Sequence, residues 1–201
     1  MERTTSNSRE QILHAIRKNK PTESILPIIP PFVSHVDKGE LLTTFINMLG
    51  RVGAVVAHTS SKESIREAIR TYYAETVHVC SVYPAIEGNV LLENITHPSD
   101  LAIVDVAIMQ GLLGVAENGA IWLTENQMGH RALPFITQHL VVVISANRLV
   151  SNMHEAYKQI AQISEGFGLF ISGPSRTADI EQSLVIGAHG ARSLLVCLTY
   201  D

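Results

Sequence analysis

The chain has 201 residues, 46% of them hydrophobic and 17% charged, which is enough apolar material for one α/β core. A net charge of -4 and a pI near 6.1, with no basic stripe along any segment, argue against a nucleic-acid-binding protein. No apolar run reaches the roughly 18 residues of a membrane span, and residues 1–6 are polar rather than a signal peptide, so a cytoplasmic protein is expected.

Residues 6–18 carry Ile12, Leu13 and Ile16 on one stripe and predict a helix. Pro21, Pro27, Pro30 and Pro31 rule out regular structure over 20–31, which leaves an extended arm. The expected organisation is therefore a helix and proline-rich arm over 1–31, followed by an α/β domain over 32–201. Residues 41–49 give a second helix closed by Gly50, and 52–58 is a short β-branched run. Ser60 stands three residues before Glu63, a capping-box spacing that opens a helix through Tyr73. Strands are expected at 77–82, 101–109, 120–124, 140–145, 169–172 and 193–199, with helices over 151–163 and 177–186. The apolar runs are continuous rather than alternating. Both faces of the sheet should therefore be covered, as in a mostly parallel, Rossmann-like sheet flanked by helices.

Several chemistries lose ground on spacing alone. Cys80 and Cys197 lie in apolar strand-like runs without a C-x-x-C pattern and read as buried reduced thiols. None of the nine histidines has H-x-H or H-x-x-x-H spacing, which disfavours a metal site. There is no phosphate-loop motif, no dinucleotide-binding glycine fingerprint and no G-x-S-x-G elbow, against a kinase, a typical dehydrogenase and an α/β-hydrolase.

The most informative stretch is Phe170-Ile171-Ser172-Gly173-Pro174-Ser175-Arg176-Thr177-Ala178-Asp179-Ile180-Glu181. It reads as a strand, a tight loop and a helix N-terminus, the arrangement in which α/β proteins place ligand chemistry. Thr177 is the natural N-cap, and Asp179 and Glu181 suit the dipole of the first turn. Positions 179 and 181 lie about 200° apart on a helix, so at most one faces a cleft and paired-carboxylate chemistry is disfavoured. A cation at a helix N-terminus is mildly unfavourable without a partner, so Arg176 calls for one of these acids or an anionic ligand. Gly187-Ala188-His189-Gly190 then forms a helix end and turn, with His189 just before the last strand.

Val115-Ala116-Glu117-Asn118-Gly119-Ala120 is the second such stretch, a turn leading directly into a strand. Glu117 has two readings. It is an acid bonded to the turn's amides, or a carboxylate partly removed from water, with a raised pKa suited to proton transfer or nucleophilic attack. Arg131 either ties loops together or faces the same crevice as Glu117. His139, at a strand start, reads as structural.

Taken together, Ala116-Glu117-Asn118-Gly119-Ala120, Arg131, Pro134, His139, the run from Gly173 to Glu181 and Gly187-Ala188-His189-Gly190 resemble the lactate-utilization protein C family, small proteins built on the LUD domain. The likeness runs over most of the chain, and departs from the family where Asn118 replaces a common Thr. The resemblance implies a fold similar to the sugar-isomerase, ribose-phosphate-isomerase and CoA-transferase superfamily. It also implies a part in oxidation of L-lactate to pyruvate beside iron–sulfur partner subunits. This chain lacks cluster cysteines, so no cofactor is expected in it, and the clusters belong to those partners. The candidate site is Glu117 as the catalytic group, with Arg131, Ser175, Arg176, Thr177, Asp179 and His189 binding ligand and no metal. Lactate and pyruvate are carboxylates, which suit a bidentate arginine contact. Two other readings stand beside this one. The first is an independent CoA-transferase- or isomerase-like enzyme, because Glu117-Asn118-Gly119 is similar to a Ser-Glu-Asn-Gly turn with Ala116 in place of Ser. The second is an interaction module docking through its N-terminal arm, compatible with a homo-oligomer.

Overall fold

The computed structural model describes residues 7–28, 39–161, 166–178, 184–187 and 189–200. The chain divides into two units, Met1–Val33 and Ser34–Asp201. In the first, helix α1 (Ser8–Lys18) is capped by the Asn7 side chain, which accepts from Arg9 N–H. Arg17 and Lys18 lie in its last turn, where cations oppose the helix dipole. None of its residues is buried, and residues 20–28 carry no regular structure.

The second unit begins with α2 (Leu41–Val52), which buries Phe45 and Leu49. Gly50, expected to close this helix, lies within it. The stop is Gly53, at φ 87°, whose N–H donates to the Gly50 and Leu49 carbonyls. Only glycine holds that left-handed conformation without strain. Strand β1 (Val55–His58) follows, then α3 (Lys62–Tyr72). Its capping box sits one residue later than expected: Ser61 accepts from Ser64 N–H, and the Ser64 hydroxyl oxygen accepts from Ser61 N–H. Ser64 serves at that position as well as a glutamate, because a short hydroxyl reaches the same amide.

Strands β2 (Val79–Ser81) and β3 (Val106–Gln110) come next, with a 3-10 segment at Pro98–Ile103 where the start of a strand was expected. Pro98 begins that segment, and the Asp100 carboxylate ties it to the His97 N–H. The chain continues through β4 (Leu113–Val115), β5 (Ala120–Thr124), α4 (Glu125–Met128), α5 (Leu133–Ile136) and β6 (His139–Ser145). Then come β7 (Leu149–Val150), α6 (Met153–Ile160), β8 (Gly168–Ile171), β9 (Arg176–Ala178), β10 (Leu184–Ile186) and β11 (Ser193–Thr199).

Five strands form a wholly parallel sheet in the order β1-β11-β6-β3-β2. Its two faces follow from the period of two along a strand. Val106, Ile108, Val141, Val143, Leu195 and Cys197 face one way and meet Ile65 and Ile69 of α3. Ala107, Met109, Leu140, Val142, Val196 and Leu198 face the other way and meet Phe45 and Leu49 of α2. Each fully buried aliphatic side chain stabilises the fold by about 1.5–3 kcal/mol, which is why the continuous apolar runs specify this layer.

The covered, mostly parallel architecture holds, but a second, mixed sheet in the order β7-β4-β5-β8 packs on the α2 side and was not foreseen. Its strands β4 and β7 are three and two residues long, too short for a periodicity test. The helix expected over 177–186 is also absent from the described residues: β9 and β10 pair antiparallel there, Thr177 opposite Val185. Thr177 is thus a strand residue rather than a helix cap, and Asp179 and Glu181 lie outside the described residues. No helix among the described residues is long and apolar enough to cross a membrane.

Cys80 and Cys197 are buried, and burial pushes their thiols up to about 11 and about 12. In the native protein both should resist an aqueous thiol reagent and react at the rate of unfolding as denaturant is raised. Prompt labelling of either without denaturant would contradict the burial.

Candidate functional site

The loop after β8 builds one side of a cavity. Gly173 turns the chain at φ 76°, and a side chain there would stand 2.6 Å from the Val52 carbonyl oxygen at the end of α2. Ser175 is then held from both ends: its N–H donates to the Ala191 carbonyl at 2.8 Å, and its carbonyl accepts from Gly187 N–H at 2.9 Å. These bonds bring the loop before β9, the end of β10 and the approach to β11 together. Between them lies a cavity of about 270 Å³, with Phe135, Leu140 and Phe170 as apolar wall and Ser175, Arg176 and His189 as polar groups. That space suits a molecule of a few heavy atoms.

Arg176 is exposed and forms no hydrogen bond or ion pair with the described residues. Its guanidinium lies against Gly53, where an added Cβ would collide with it. The expectation of a cation at a helix N-terminus is therefore reversed: this one sits at the C-terminus of α2, where the last carbonyls carry partial negative charge and favour it. The guanidinium lies beside the helix end, Arg176 lines the cavity, and no described residue takes its N–H donors.

Three of the predicted ligand residues, Ser175, Arg176 and His189, share this cavity, while Glu117 and Arg131 do not line it. Glu117 is exposed rather than withdrawn from water. Its Oε1 accepts from Met153 N–H at 2.8 Å, the first residue of α6, so the acid serves a helix N-terminus across the β4–β5 turn. The turn's own amide is met by Asn118, whose Oδ1 accepts from Ala120 N–H at 3.0 Å. The turn does touch the Gly173 loop, through the Ser172 hydroxyl donating to the Asn118 carbonyl at 2.7 Å. Arg131 takes the loop-tying role. It donates from Nε and Nη2 to Glu125 at 2.7 and 2.9 Å, stacks over the Phe167 ring at 4.8 Å, and holds the Glu125 carboxyl below the usual range.

His139, expected to be structural, is part of a bonded cluster. Its Nδ1 and the Tyr73 hydroxyl each lie 2.8 Å from the Ser193 hydroxyl oxygen, and the Tyr73 and His139 rings stack at 4.6 Å. Burial, then the Arg192 charge, lowers the His139 pKa, with Asp105 opposing. Tyr73 and Ser193 carried no motif, so nothing in the sequence flagged them. Among the described residues no group of three or more His, Cys, Asp or Glu gathers where a metal ion would be held.

A family model described as the LUD domain matches residues 98–199, half of the chain, including Glu117 and the whole Gly173 loop. Lactate utilization protein C of Shouchella clausii is 36% identical over 93 residues, 44% of this chain and 41% of that protein. The Bacillus pumilus protein of the same name is 39% identical over 82 residues, 38% and 34% of the two lengths. The chain thus spans less than half the length of these two relatives. A third protein of that name, from Deinococcus radiodurans, is 29% identical over 197 residues, 92% of this chain and 90% of its own length. The crystal structure of a DUF162-family protein from Deinococcus radiodurans shares the fold, with a TM-score of 0.63 and 21% identity over 82% of this chain and 99% of that one.

Gly53 carries both the helix stop and the seat of the arginine. Gly53→Ala should cost about 1 kcal/mol or more in urea unfolding, from the strained φ and the displaced guanidinium. A variant as stable as the parent would show that neither constraint operates.

Proposed function

The chain belongs to the LUD-domain family, and on that premise we propose that it serves L-lactate utilization as a component without redox centres, binding lactate or pyruvate under Arg176. The observation that carries this reading is a guanidinium with no partner among the described residues, lining a small cavity with Ser175 and His189. A carboxylate accepts two parallel bonds from such a group. The apolar wall suits the methyl end of a three-carbon acid, and the serine and histidine suit its hydroxyl or keto oxygen. The relatives named lactate utilization protein C make these two acids the first ligands to try.

Oxidation of lactate to pyruvate releases two electrons and two protons, and the electrons pass in this reading to iron–sulfur clusters of partner subunits. The two cysteines here are sealed in the core as protonated thiols, poor ligands for a cluster, which is consistent with that division of labour. An acyl-transfer role for Glu117 has no observation behind it, since that carboxylate is engaged by α6 in open solvent.

Calorimetry with L-lactate and pyruvate tests the proposal. The expected result is saturable binding of at least one acid, weakened about tenfold or more in Arg176→Ala, which is roughly 1.4 kcal/mol. Unchanged affinity in the variant would remove Arg176 from the site.

A further inference from the structure

The cavity under Arg176 lies beside the N-terminal ends of β6 and β11, through Leu140 and Ala191. Open parallel sheets usually bind ligands at the opposite edge, beyond the carboxyl ends of the strands. That edge holds a larger cavity, about 760 Å³, where β3 ends at Gln110 and β6 ends at Ser145. Arg148 and Gln159 close its rim, and Trp122 of β5 stands at its wall. Arg148 is exposed and forms no ion pair or hydrogen bond with the described residues.

We infer that this cavity is a second binding site, for an oxygen-rich organic anion larger than lactate, with Arg148 taking its charge and Gln110, Ser145 and Gln159 its hydroxyls or further oxygens. Three features argue for that class. The lining has one cation and no carboxylate among its residues, so an anion is favoured over a cation. Side-chain amides and a hydroxyl both donate and accept, which suits a polyoxygenated ligand. The Trp122 ring is covered by Phe170, at 4.7 Å between centroids, and by the Gly168 backbone, so it offers little free face for stacking a flat base. The indole Nε1, closed to solvent, has no hydrogen-bond partner among the described residues. A buried donor left without a partner destabilises the state that holds it. A ligand oxygen that draws the indole edge toward the cavity therefore gains a bond for which no protein group competes.

Trp122 is the chain's one tryptophan, so its emission reports this wall in the unlabelled protein. The test is a fluorescence titration with citrate and, separately, glycerol 3-phosphate, which distinguishes a polycarboxylate from a phosphate ester. The indole N–H proton resonance is followed in parallel. Phe170 also lines the smaller cavity, so ligand there can reach Trp122 indirectly; the variants Arg148→Ala and Arg176→Ala separate the two sites. Arg148 is exposed, and circular dichroism checks that its variant folds. The expected result is a saturable emission change with one probe, a moved N–H resonance, affinity lowered about tenfold or more in Arg148→Ala, and an unchanged response in Arg176→Ala. No saturable change with either probe and a fixed N–H resonance would overturn the inference. So would a response lost in Arg176→Ala and kept in Arg148→Ala.

Discussion

The last turn of α2 ends against two different neighbours within two residues, and the candidate chemistry depends on that crowding. The Val52 carbonyl leaves room only for a glycine at 173, Gly53 closes the helix in a left-handed conformation, and the Arg176 guanidinium covers Gly53. The helix end supplies partial negative charge for the cation, and the glycine supplies the space to approach it.

The parallel sheet acts as the platform for all of this. Its two faces are sealed by α3 on one side and by α2 with the second sheet on the other, which confines chemistry to its ends. At the N-terminal ends of β6 and β11, the loop after β8, the start of β9 and the segment before β11 add the polar groups of the smaller cavity. At the C-terminal ends of β3 and β6, the larger cavity opens beside β5. The directly paired Trp122 and Phe170 join the two, since one ring lines each cavity and the rings touch.

The buried strands and amphipathic helices were legible because long apolar runs and a 3.6-residue stripe are strong, local signals; 120–124 and 193–199 match their strands residue for residue. Short strands carry no such period, so β4, β7 and the β9–β10 pair were not read. Acidic residues after Gly173-Pro174 looked like a helix start and led to the wrong element around Thr177. The prominence of Arg176 was legible as a cation without an evident partner, and the structure gives it the opposite helix terminus from the one expected. Glu117 shows the limit of motif reading. An acid in a turn looks the same in sequence whether it meets a substrate or, as here, the first amide of a helix thirty-six residues away.

A crystal structure grown with L-lactate tests the central claim most directly. The expected result is a carboxylate bridged to the Arg176 guanidinium, which stays on Gly53 at the end of α2, with the methyl group toward Phe135 and Leu140. A guanidinium turned away from Gly53 into bulk solvent, or lactate bound elsewhere with the cavity under Arg176 unchanged, would contradict it.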